Sequence, residues 1–140
     1  MSKISDSEII DLLKSTKTIA VVGLSPKPDR ASHRVALYMQ QAGYRVIPVR
    51  PGGATILGEQ SYPSLEEIPE DIQVDLVDVF RKGEDTPPIA AAAVAIKAKG
   101  FWLQLGITNQ TSMETAKKGG VIAVENLCLM VEHLRLASKL

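Results

Sequence analysis

The sequence predicts an α/β chain: a single Rossmann-like, doubly wound domain with a five-stranded parallel sheet and helices on both faces. Three observations predict it. Five short runs rich in Val, Ile and Leu alternate with segments of helical spacing, the order that crossover connections require. The runs are apolar almost throughout, as strands covered on both faces must be. The first run ends in Gly23, followed by a polar loop and a helix, as at the start of a nucleotide-binding βαβ unit.

Each element has a local reason. "SDSE" at Ser5 to Glu8 has the spacing of a capping box, and Ile9, Ile10, Leu12 and Leu13 give an extra N-terminal helix, around residues 5–15, one apolar face. "TIAVVGL" is the first strand. Ser32 stands where it can cap a helix that runs to Gly43, and "YRVIPV" is the second strand. "SLEE" at Ser64 to Glu67 marks a short capped helix before the third strand, "VDLVDVF". Thr86 and Pro87 open an alanine-rich helix that Gly100 is expected to close, before the fourth strand "FWLQLGI". "TSME" opens the next helix, ended by Gly119 and Gly120. "VIAVE" is the fifth strand and "CLMVEHLRLASKL" the last helix.

Right-handed crossovers between such strands lead to an expected order of 3-2-1-4-5, with the topological switch between strands one and four. Ligands bind at the switch, beyond the C-terminal strand ends. Those ends carry Gly23 to Lys27, Arg50, Phe80 and Arg81, Gln104 to Gly106, and Glu125 to Cys128.

At 140 residues the chain has room for one domain with a sizeable core. Sixteen basic residues balance sixteen acidic ones, which gives no footprint for nucleic acid or an acidic membrane surface. The N-terminus is too polar for a signal peptide and no apolar run approaches spanning length, so a cytoplasmic protein is expected. A lone cysteine, Cys128, allows no internal disulfide and no cysteine-based zinc cluster. The two histidines, His33 and His133, lack metal-ligand spacing, and structural or solvent roles are expected of both.

The loop "GLSPKPDRASHR" has the chemistry of a phosphate cradle. Gly23 permits a tight turn, and the following helix aims its unpaired N–H groups and positive dipole end at whatever sits above. Ser25 and Ser32 can add hydroxyls; Lys27, Arg30 and Arg34 can add charge. Arg50 then discriminates between ligands. An acidic residue at the end of the second strand accepts from the ribose hydroxyls of NAD, whereas a cation there favours a ribose carrying an extra phosphate. NADP and coenzyme A both satisfy that condition.

"IAVVGLSPKPDRASHRVA", "YRVIPVRPGG", "ILGE", "VDLVDVFRKGED", "FWLQLGI" and "CLMVEHLRL" together resemble the small bacterial and archaeal CoA-binding proteins, which are themselves similar to the CoA-binding domain of the succinyl-CoA synthetase alpha subunit. The resemblance runs from Thr18 over nearly the whole chain and makes residues 1–140 one CoA-binding domain. It implies that Gly23 to Lys27 hold the CoA pyrophosphate and that the segment after Val49 faces the 3'-phospho-adenosine. It further implies that Phe80, Arg81 and Gln104 to Gly106 border the pantetheine route. Cys128 then falls near the thiol end, where a mixed disulfide with CoA and plain packing as a small hydrophobe are both open.

The cofactor-binding set is accordingly Gly23, Ser25, Lys27, Ser32, Arg34, Arg50, Phe80, Arg81, Gln104, Gly106 and Cys128. With no nucleophile elbow, no P-loop and no catalytic constellation, the expected function is non-catalytic binding of CoA or an acyl-CoA. Two alternatives stand beside it: an NADP-binding reductase or redox sensor, and a subunit of an acyl-CoA ligase completed in trans.

Overall fold

A computed structural model describes residues 4–140. The capping box forms as its spacing predicts: the Glu8 N–H donates to Ser5 Oγ at 3.1 Å and the Ser5 N–H to the Glu8 carboxylate at 3.4 Å. It opens α1 (Asp6–Ser15), whose Ile9, Leu12 and Leu13 are buried. There follow β1 (Thr18–Val22), α2 (Ala31–Gln41) and β2 (Arg45–Val49), then a small hairpin of β3 (Thr55–Ile56) and β4 (Glu59–Gln60). After a single 3-10 turn at Leu65–Glu67 come β5 (Leu76–Val79), α3 (Pro87–Ala95), β6 (Gly100–Leu103), α4 (Gln110–Lys118), β7 (Ile122–Val124) and α5 (Leu129–Leu136).

The main sheet has five parallel strands, as expected, but their order differs from the expected 3-2-1-4-5. It is β2-β1-β5-β6-β7, so the third long strand inserts beside the first. The reason lies in Pro48. A proline cannot donate to a ladder, which confines it to an edge strand. Its carbonyl accepts from the Tyr62 N–H at 3.0 Å on the outer side of β2, the side on which its missing N–H would also lie. The chain then closes that edge itself. The Arg50 N–H donates to the Tyr62 carbonyl at 2.8 Å, and Arg45 grips Glu59 at 2.9 and 3.2 Å. With the edge occupied, the chain returns across the sheet, packing Leu65, Ile68 and Val74 against Ala20, Ile47 and Val77. The switch point therefore lies between β1 and β5.

Two apolar layers cover the sheet. On one face Ile19, Val21, Val46, Leu76 and Trp102 meet α1, α2 and α5; on the other Val22, Val79, Phe101 and Leu103 meet α3 and α4. Several helix ends differ in detail from their expected signals. "SLEE" makes only the 3-10 turn, without a side-chain bond from Ser64. The cap of α4 is Asn109, whose side chain accepts from the Ser112 N–H at 2.8 Å, ahead of the expected "TSME". α3 is closed by Lys97 at φ 60°, and Gly100 begins β6 instead. A Cβ at Gly100 would lie 2.8 Å from both Leu12 methyl carbons and 2.9 Å from Leu76 Cδ1, so any larger residue must push these buried side chains aside.

Gly100→Ala should therefore cost about 1–3 kcal/mol through overpacking, read from urea unfolding. In a Leu12→Ala background, where the methyls are gone, the same substitution should cost less; an undiminished cost would show that another contact sets the constraint.

Candidate functional site

Beyond the C-terminal ends of β1, β2 and β5 lies an open cleft of about 400 Å³, walled by Gly23, Ser25 and Ser32, with Lys27, Arg30 and Arg50 around it and Phe80 on the β5 side. Gly23 stands where three strand ends meet. Its N–H donates to the Val49 carbonyl at 2.8 Å, and next to it the Phe80 N–H donates to Val22 at 2.8 Å. Its φ is 87°, and a Cβ would sit 2.5 Å from the Phe80 carbonyl oxygen. Only glycine fits.

The loop after Gly23 is held from inside. The Ser25 N–H donates to Ser32 Oγ at 3.0 Å, the Lys27 N–H donates to Ser25 Oγ at 3.1 Å, and His33 Nδ1, in its protonated tautomer, donates to the Ser25 carbonyl at 2.9 Å. This corrects the expected role of Ser32. The N-cap of α2 is Arg30, which supplies no side-chain cap, and Ser32 lies within the first turn, buried, reaching back to tie the loop. The first-turn N–H groups of Ala31, Ser32 and His33 have no acceptor inside the helix. Together with the dipole they give that end of the cleft the chemistry of an anion cradle.

The cations differ in how far they are committed. Arg50 folds over the loop, its guanidinium donating to the Leu24 carbonyl at 3.4 Å and to Pro51 at 3.2 Å. Lys27 and Arg30 are exposed at the mouth. Arg34 is exposed outside the cleft wall and donates to the Asp29 carbonyl, bracing the loop. Arg81 is exposed and pairs with Asp85 at 3.5 Å.

The remaining expected residues form a neighbouring rim between β6 and α5. Gln104 lies under that rim: it is 3 % exposed, its amide N–H donates to the Asp78 carboxyl, and its carbonyl accepts from the Leu129 N–H at 3.3 Å. Gly106, at φ 84°, donates its N–H to Asn126 Oδ1 at 2.7 Å. Trp102 is fully buried and donates its indole N–H to the Leu127 carbonyl at 2.8 Å, pinning the loop that leads into α5. Cys128 is half-buried at the N-cap of α5 and makes no capping bond. One residue of this region escaped the sequence reading. Asp78 is 0 % exposed, one carboxyl oxygen has no partner, and burial, opposed only by the Gln104 hydrogen bond, pushes its pKa up to about 7. The two aspartates that interrupt "VDLVDVF", of which Asp78 falls within the apolar strand itself, were the available signal.

A protein-family model described as a CoA binding domain matches residues 17–134, which spans β1 to α5. The chain belongs to the CoA-binding domain family. This is the family that the quoted sequence stretches resemble. Within it the domain is 41 % identical over 133 residues to the uncharacterized protein YneT of Bacillus subtilis, a match covering 95 % of this chain and 97 % of that one. A solved structure of a hypothetical protein from Pyrococcus horikoshii OT3 superposes with a TM-score of 0.90 at 37 % identity, covering 96 % of this chain and 93 % of that one. An acetyl-coenzyme A synthetase from Candidatus Korarchaeum cryptofilum shares the fold, with a TM-score of 0.70 at 18 % identity over 84 % of this chain and 28 % of that one.

The loop from Gly23 to Arg34 should depend on Ser32. Ser32→Ala leaves the Ser25 N–H without its acceptor, and a loss of about 1–3 kcal/mol in stability is expected, with faster amide exchange at Ser25 and Lys27. Parent-like exchange in that variant would mean that the loop is held by something else.

Proposed function

We propose that this domain binds coenzyme A or an acyl-CoA without catalysing a reaction, taking the 3'-phospho-ADP moiety in the cleft between β1, β2 and β5. The observation that carries this reading is the convergence at one strand junction of a glycine with no room for Cβ, the uncapped first turn of α2, and the cations Lys27, Arg30 and Arg50. The N–H groups and dipole suit the pyrophosphate. Arg50, at the end of β2, suits a further phosphate on the ribose. The pantetheine arm then leaves past Phe80 towards the rim of Gly106 and Cys128. A non-catalytic role is supported by what lines the cleft, which is backbone, hydroxyls and cations suited to holding an anion. The nearby imidazole of His33 is already committed to Ser25.

Calorimetry with CoA, dephospho-CoA and NADP tests the reading. Affinity should fall from CoA to dephospho-CoA by about 1–3 kcal/mol, as for a charge-assisted hydrogen bond, and the loss should shrink at high salt. Arg50→Glu should diminish that difference, and Lys27→Ala should weaken CoA itself by a similar amount, about 1–3 kcal/mol. Equal affinity for CoA and dephospho-CoA would remove Arg50 from phosphate recognition, and tighter binding of NADP would overturn the proposal.

A further inference from the structure

Asp78 is placed where a carboxyl group is costly. It lies in β5 between Val21 of β1 and Trp102 of β6, on the face covered by α1, α2 and α5. One oxygen accepts from Gln104; the other has no partner among the described residues. An asparagine could accept the same bond without any charge to bury. Gln104 in turn accepts from the N–H of Leu129, the first residue of α5, so a single chain of contacts joins Asp78 to the helix whose N-cap is Cys128. Two residues along the same strand, roughly 7 Å away, Phe80 walls the cleft.

Among the described residues no charged partner offsets this carboxyl. From α1 the side chains buried towards this face are Ile9, Leu12 and Leu13. From α2 the ionisable groups are His33, bonded to Ser25, and Tyr38, bonded to His133. From α5 they are Cys128, Glu132, which pairs with Arg135, and His133, whose pKa burial lowers. Asp78 itself is governed by burial first and by the Gln104 bond second, which sets its pKa at about 7. Once ionised, its unpartnered oxygen needs a donor that the packed α5 start does not supply. It also places a negative charge in a medium of low dielectric, two residues along the strand from the cleft wall at Phe80.

We propose that Asp78 is a proton-linked positioning residue of the ligand site: binding of an anionic CoA takes up a proton at Asp78, which keeps Gln104 and the first turn of α5 seated. The proposal rests on the CoA reading above and adds its regulation. An anion bound above the carboxyl raises its pKa further, so affinity is greatest below about pH 7 and falls as pH rises through the free carboxyl's titration. The same burial makes the native carboxyl hold its proton more tightly than the unfolded one, so folding stability falls between about pH 4 and about pH 7 and is level above.

Calorimetry of CoA binding at about pH 6 and about pH 8, in two buffers of different ionisation enthalpy, tests it on the parent and on Asp78→Asn. The ligand's own phosphate titrates in both proteins and cancels. The ratio of parent Kd to Asp78→Asn Kd should rise severalfold, towards about tenfold for one unit of pKa shift, between the two pH values, with proton uptake by the parent exceeding that of the variant. Gln104→Leu, which removes the bond that holds the Asp78 pKa down, should move the parent's affinity decline to higher pH; this arm decides the matter if Asp78→Asn does not fold. CoA binding with identical pH profiles in the parent and in each folded variant overturns the role of Asp78 and leaves the CoA reading intact. Failure of the parent to bind CoA at either pH overturns both.

Discussion

The close approach of Gly23 to the Phe80 carbonyl is the constraint on which the site depends. β1 and β5 can lie side by side to their ends only because nothing projects from Gly23, where a Cβ would sit 2.5 Å from the Phe80 carbonyl oxygen. That contact fixes where the loop leaves β1 and hence where the first turn of α2 points. It also brings Phe80, two residues along from Asp78, to the wall of the same cleft. A side chain at this position would meet backbone on the neighbouring strand, which cannot rotate aside as a side chain could.

The electrostatics are local by construction. With sixteen basic and sixteen acidic residues the molecule has no net field to gather anions, so affinity must come from groups placed at one point. The loop is tied internally through Ser25, Ser32 and His33, which removes much of the ordering cost that a flexible phosphate loop would meet on binding. Lys27 and Arg30 keep the solvation and freedom of surface cations, whereas Arg50 is already drawn inward onto the Leu24 carbonyl. The cleft therefore combines a rigid floor with adaptable charges at its edge.

Much of this was legible because it rests on short-range rules. The capping box of α1, the apolar strands and the glycine at the end of β1 each state their structure within a few residues. The strand order was mistaken because crossover alternation is compatible with more than one order; the deciding residue, Pro48, marks β2 as an edge only when its missing donor is weighed. Serine before a helix is usually a cap, but α2 begins two residues earlier, with Arg30 as its N-cap, and the Ser32 hydroxyl is spent on Ser25. The grouping of Gln104 with ligand contacts followed from its place at a strand end; its burial depends on Asp78 and Leu129, partners 26 and 25 residues away that no local pattern joins.

The most direct test of the account is an amide NMR titration of the ligand-free domain with CoA. The account predicts shifts concentrated in the Gly23 to Arg34 segment, at Arg50 and at Phe80, with weaker changes along the Gly106 to Leu129 rim. Shifts centred instead on Ser15, Lys17, Gln73 and Lys99, at the opposite end of the sheet, would contradict it, as would a spectrum that saturating CoA leaves unchanged.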